Sequence, residues 1–164
     1  MKLSQSSRQS TLSHFVPLLE SLASSHSERV LDTKPNNISF AITLTSFRAD
    51  ELQKIGGMLF DRNVTGCRVV KRGVTKVLNK GVTLENFGSS STDAYQVDYL
   101  TAAVGIGMTI WEVDELIKRI DGVFRDVKKR RVKKKVAAAL GEGKKFNNKG
   151  WFPFFFLYPF FFFQ

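Results

Sequence analysis

Two parts of this 164-residue chain carry residue types that do chemistry with other molecules. One is DRNVTGCRVV at 61–70, which sets Arg62 in a turn-forming stretch with Arg68 shortly after it. The other is residues 125–149, where eleven Lys/Arg stand against Asp126 and Glu142, a local net charge of +9 out of +10 for the chain. Eight of those bases lie within 125–135. Such a run binds phosphates by releasing their counterions, with an affinity that falls steeply with salt. It reads equally well as a solvated charged face, and charge alone does not separate tRNA from another RNA or a lipid surface. Arg62 likewise has two readings. Its planar fork suits paired hydrogen bonds to a guanine edge, and its charge suits the negative end of a helix dipole.

Other chemistries find little support. A single cysteine, Cys67, excludes an internal disulfide framework and fits a reducing compartment. His14 and His26 are scattered, so no metal-ligand cluster forms in the sequence, and neither has a visible nucleophile partner. There is no GxxxxGK[ST] phosphate loop, and GIGM at 105–108 lacks the strand and third glycine of a dinucleotide fingerprint. Lys76 and Lys80 read as turn lysines rather than Schiff-base lysines. The sequence therefore predicts no catalytic, cofactor-binding or metal-binding residue in this chain.

Local patterns predict the elements that position these residues. Leu12, Phe15, Val16, Leu19, Leu22 and Ala23 have helical spacing, which predicts a helix from about residue 12 to Arg29, capped by Ser13 and tolerating Pro17 near its first turn. Residues 38–44, ISFAITL, form a short β-rich run after turn residues and predict a mostly buried strand. SFRADELQKIGGMLFDRN at 46–63 predicts a second helix, with Asp50 and Glu51 at its start and Asn63 at its exit. Two short strands are expected at 64–70 and 74–78 around a turn at Lys71-Arg72-Gly73, followed by a Gly/Ser loop. The small residues of DYLTAAVGIGM, 98–108, suggest a buried helix.

The clearest pattern comes last. Thr109 and Glu112 form a capping box, after which Val113, Leu116, Ile117, Ile120, Phe124 and Val127 make one apolar stripe. The acidic residues off that stripe read as a solvated face. Arg131 replaces the next apolar residue, so the core face should end near Val127. Helices around short strands predict an α/β or α+β lobe with a small sheet covered by helices.

The two ends stand apart. Residues 1–11 are serine-rich and expected to be disordered, with no apolar segment of a secretory signal. Residues 141–164 include a Phe-rich tail that is too short, with two prolines, for a bilayer-spanning helix of about 20 residues. It reads as unstructured low complexity, the product of a translated non-coding stretch. The folded part is thus expected at 12–140, with its basic helix end at 125–135.

Three pieces in register carry a resemblance. NNISFAITL, GGMLFDRNVTGCRVV and DYLTAAVGIGMTIWEVDELIKRID resemble, in this order and at natural spacing, the C-terminal part of the O-phosphoseryl-tRNA(Sec) selenium transferase family. The resemblance covers about residues 10–135. It implies the C-terminal small domain of a fold-type-I transferase dependent on pyridoxal 5'-phosphate, which serves as an electron sink in the exchange of phosphate for selenium. In the family the cofactor lysine and the residues that hold the substrate phosphate lie upstream of this part, so the attachment lysine is expected to be absent here. The resemblance also implies a cytoplasmic protein, a homo-oligomer (tetrameric in the family) and tRNA(Sec) as partner, with no membrane.

The family pattern further places Arg62 near the discriminator base of the tRNA acceptor end, and a late helical base, by count Lys129, on the acceptor arm. Arg68 reads as structural or rim-facing. Taken together, the expectation is a fragment that keeps acceptor-arm binding and is inactive alone in making selenocysteinyl-tRNA(Sec). A non-catalytic basic RNA-binding module is the alternative, and a membrane-surface protein ranks behind both.

Overall fold

A computed structural model describes residues 2–32, 38–73, 76–78, 81–84 and 97–142. The Phe-rich tail and Lys80 lie outside the described residues. The chain divides into two units, Met1–Lys129 and Arg130–Gln164, and the fold below is that of the first.

Helix α1 spans Lys2–Ser25, so it begins well before residue 12 and much of the segment expected to be disordered is helical. Ser13 is consequently no cap; its hydroxyl donates to the Gln9 carbonyl inside the helix. Pro17 is internal too. Burial of Leu12, Phe15, Leu19, Leu22 and Ala23 on one face holds the helix through it, offsetting the backbone bond that proline cannot donate. The helix stops at Ser25 rather than Arg29 because Ser27 turns left-handed, φ 62°, and Glu28 N–H bonds back to the Ala23 carbonyl at 2.8 Å.

Strand β1, Ser39–Thr43, leads to α2, Ala49–Phe60. Glu51 receives the Arg48 backbone N–H at 2.9 Å at its start. Its exit is made by Asn63, also left-handed at φ 57°, with Asn63 N–H bonded to Phe60 O and Val64 N–H to Leu59 O. This six-to-one closure satisfies the last carbonyls of the helix. Arg62 lies inside it, so the position of its side chain is set by the way α2 ends.

Between 64 and 108 the two expected short strands form, each over part of its expected span, and one expectation fails. Strands β2 (Arg68–Val70) and β3 (Lys76–Val77) do not pair with each other. β3 pairs with β4, Thr83–Leu84, as a separate exposed ribbon. β2 instead joins β5, Tyr99–Ala103, which is a strand and not the expected buried helix. β5 is the middle of an antiparallel sheet of order β1-β5-β2. Its Leu100 and Ala102 are fully buried while Tyr99, Thr101 and Ala103 are half-buried, the period-two alternation of a strand with one face on a core. Small residues there leave room for the helices packed above, and Gly107 at φ 86° turns the chain away toward the next helix.

Helix α3 runs Ile110–Glu142. Its start carries the expected capping box: Thr109 N–H donates to Glu112 Oε2 at 2.8 Å, and Glu112 N–H to Thr109 Oγ1 at 3.3 Å. The Thr109 N–H, joined by the Thr109 hydroxyl donating to the same oxygen at 2.9 Å, pulls the Glu112 carboxyl below its usual range. Val113, Ile120, Val123, Phe124 and Val127 are buried, with Leu116 and Ile117 packed at the edge of the core. Phe124 lies 4.8 Å from Phe47 and 5.1 Å, edge-on, from His26. The core is thus built from one face of the sheet and the apolar faces of three helices, an α+β arrangement. Among the described side chains of α3, Val127 is the last that is buried.

Three acidic residues of α3 do more than form a solvated face. Asp114 receives His14 Nε2 at 2.7 Å, Asp121 receives His26 Nε2 at 2.8 Å, and Asp126 receives Arg62. They tie α3 to α1 through His14 and to the exits of α1 and α2 through His26 and Arg62. The periodicity of α3 alone shows only that these side chains leave the apolar stripe.

Candidate nucleic-acid interface

Arg62 and Lys129, the two positions singled out for nucleic-acid contact, both belong to the first unit, and Asp126 pairs with Arg62 and precedes Lys129 by three positions on α3. The Arg62 guanidinium donates from Nη1 to the Met58 carbonyl at 3.1 Å and from Nη2 to Asp126 Oδ2 at 2.6 Å. One nitrogen closes the end of α2, and the other crosses to α3. This is the geometry of a helix-end brace, and the side chain is also partly exposed, with a third of its surface accessible. A guanidinium has five N–H donors in a rigid plane, so these two bonds leave donors for a ligand.

The backbone around Arg62 is held as well. Arg119 Nη1 donates to the Arg62 carbonyl at 3.0 Å, and Arg119 Nε pairs with Glu115 at 3.6 Å. Arg119 and Asp126 lie seven residues apart on α3, two turns along the same face. Sequence reasoning missed both as parts of this site. The one available signal was Asp126 itself, an acid inside a run of bases, where a solvated or phosphate-binding surface has no use for it.

Lys129 follows Asp126 by three positions, so the two are neighbours on the helix surface. Its side chain is exposed. Lys128 is placed differently: its Nζ donates to the His26 carbonyl at 2.8 Å and sits 5.3 Å from the centre of the Phe47 ring. The adjacent lysines thus divide, Lys128 serving the fold and Lys129 facing solvent. Arg68, read as structural or rim-facing, is exposed on β2, where its backbone N–H bonds to Thr101 Oγ1 at 3.2 Å. In the second unit, the bases at 133–135 are exposed on α3, as are Val132, Val136 and Leu140.

A cleft of about 320 Å³ opens beside the α2 exit, between residues 63–67 and the start of α3, with Trp111, Glu112, Glu115 and Arg119 on its far wall. No lysine lines it. A second cleft, about 410 Å³, lies between α1 and α3 and contains Lys118, which is exposed and paired with Glu115. Neither of these two clefts offers a buried lysine beside a phosphate cradle, so neither fits pyridoxal phosphate. Cys67 borders the first cleft, but burial pushes its thiol up to about 11, which leaves it protonated and unreactive near neutrality. Among the described residues no cluster of His, Cys, Asp and Glu could hold a metal ion, and no helix is long and apolar enough to cross a membrane.

The lobe belongs to a known structural class. It superposes on the archaeal O-phosphoseryl-tRNA(Sec) selenium transferase (SepSecS) crystal structure with a TM-score of 0.53, covering 70% of this chain and 23% of that one, at 19% sequence identity. The fold is that of part of this archaeal transferase.

The sequence narrows the class. The profile of the family described as O-phosphoseryl-tRNA(Sec) selenium transferase, SepSecS, matches residues 3–125. The O-phosphoseryl-tRNA(Sec) selenium transferase of Caenorhabditis briggsae is 35% identical over 106 residues, covering 65% of this chain and 22% of its own length. That of Dictyostelium discoideum is 34% identical over 134 residues, covering 71% of this chain and 28% of its own length. This chain belongs to the O-phosphoseryl-tRNA(Sec) selenium transferase family, and it spans between a fifth and a third of the length of these relatives.

Proposed function

We propose that this chain is the tRNA-acceptor-arm-binding lobe of a selenium transferase, acting in the conversion of O-phosphoseryl-tRNA(Sec) to selenocysteinyl-tRNA(Sec) with selenophosphate. In this reading Arg62 contacts the discriminator base and Lys129 the phosphates of the acceptor arm. The reading extends to a cytoplasmic, homo-oligomeric enzyme that uses pyridoxal 5'-phosphate held outside this chain. The lobe by itself binds tRNA and does not turn it over.

The observation that carries the reading is the junction of α2 and α3 within a chain of this family. There a partly exposed arginine fork is paired with Asp126, and an exposed lysine follows that acid by three positions on α3. Backbone phosphates supply affinity and the fork supplies base selectivity. The test is binding of the full chain to tRNA(Sec) transcripts carrying each of the four discriminator bases, across a salt series. A preference for guanine that disappears in Arg62→Lys, on top of a steep salt dependence, supports the reading. Salt-dependent binding with no base preference overturns the role of Arg62. Borohydride reduction in the presence of pyridoxal phosphate should fix no cofactor to a lysine of the isolated chain, and a stoichiometric adduct would refute its inactivity.

A second reading has its own observation. Arg62 spends two donors inside the fold, as it would in a non-catalytic basic module where it is purely a brace. In that case all four transcripts bind alike.

A further inference from the structure

Asp126 stands where a basic surface would be expected to have no acid. Between Arg125 and Lys135 it is the only carboxylate among eight bases, and its charge opposes the approach of phosphate to the lysines around it. A surface used only for electrostatic attachment gains nothing from it. A fork that must be held in one orientation does, because a freely rotating arginine loses rotamer entropy each time it meets a base edge.

The geometry around Arg62 is that of a held fork. Asp126 Oδ2 takes one N–H at 2.6 Å, a short charge-assisted bond, and the Met58 carbonyl takes another at 3.1 Å. The two acceptors come from different helices, so together they define the guanidinium plane rather than a single direction. Arg119 fixes the backbone beneath it through the Arg62 carbonyl at 3.0 Å. Asp126 retains 40% of its side-chain surface and Arg62 33%, so the pair is partly open to a ligand.

We infer that Asp126 is a positioning residue for nucleic-acid recognition: its carboxylate orients the Arg62 guanidinium so that the remaining N–H edge meets a guanine base presented at the junction of α2 and α3. This rests on the reading of Arg62 as a base contact. Asp126 lowers overall attraction for the polyanion and in exchange supplies selectivity, the trade expected wherever positioning and affinity are carried by different groups.

The trade predicts opposite movements of two quantities. In the full chain, Asp126→Ala should bind a tRNA transcript carrying a non-guanine discriminator at least as tightly as the wild type, because a negative charge is gone. The preference for guanine should fall by about tenfold, within the range that a good bidentate contact contributes. Asp126→Glu, which keeps a carboxylate, should recover part of that preference. Melting curves accompany each variant, and if alanine does not fold, Asp126→Asn preserves the volume and should show a smaller loss in the same direction.

A merely structural role would weaken binding to all four transcripts equally, and that result overturns the inference. If wild type prefers guanine through Arg62 and Asp126→Ala retains the preference, the inference fails while the reading of Arg62 stands. If wild type has no preference, the reading fails and takes the inference with it.

Discussion

The Glu28 carboxylate accepts a 2.6 Å hydrogen bond from the Thr43 hydroxyl, and both residues are buried. The same carboxylate also takes Thr45 N–H and Oγ1, each at 2.9 Å, and Ser46 N–H at 2.6 Å. The end of α1 is thereby tied to the turn that launches α2, the helix whose exit carries Arg62. Burial opposes ionisation of Glu28, but the bonds from Ser46, Thr43 and Thr45 outweigh it and hold the carboxyl below its usual range.

The sign of the resulting pH dependence follows. Because the folded carboxyl is the stronger acid, Glu28 contributes stability above the unfolded carboxyl's value of about 4.3, and that stability is lost as pH falls through the lowered folded value. Glu28→Gln places an amide donor against existing donors and should cost about 1–3 kcal/mol at neutral pH. The difference between wild type and variant, read from urea unfolding, should shrink as pH is taken below 4. A constant difference would show that the ionised form is not what the nest selects.

The two adjacent lysines should separate cleanly. Lys128→Ala removes a bond to the His26 carbonyl and the contact with the Phe47 ring, and should lower stability by about 1 kcal/mol. Lys129→Ala, at an exposed position, should leave the melting temperature unchanged while reducing the slope of log K against log salt for tRNA binding by about 0.9. The reverse pattern would move the register of the interface by one residue.

His26 is buried, reaches Asp121 at 2.8 Å and lies edge-on to Phe124. His26→Ala should destabilise by about 2 kcal/mol through the lost packing and the loss of one of the two partners of Asp121, which keeps Arg125, whereas His14→Ala, whose ring is more exposed, should cost well under 1 kcal/mol. Chemical denaturation of both variants measures the contrast, and equal losses would argue against His26 as a core residue.

Cys67 is half-buried, and its thiol is pushed up to about 11 by burial. Alkylation by iodoacetamide at pH 8 should therefore run far more slowly than for a free thiol and reach the free rate only in denaturant. Fast labelling of the native chain would mean that the wall of the cleft beside Asn63 opens readily.

What the sequence determined by itself was local. The apolar stripe of α3 from Val113 to Val127, its Thr109–Glu112 cap, the helix ending at Asn63 and the loss of the core face after Val127 are all written in residues within a few turns of one another, where helix geometry makes spacing equivalent to facing. The motif order that carries the family resemblance is equally legible. Tertiary structure decided the rest. DYLTAA became a strand because β1 and β2 bond it on both edges, and no local propensity can report two partners that lie far along the chain. The same distance hid the role of Arg62: its partner Asp126 is 64 residues away, and only packing α2 against α3 turns an isolated arginine and an apparently solvated acid into one oriented pair.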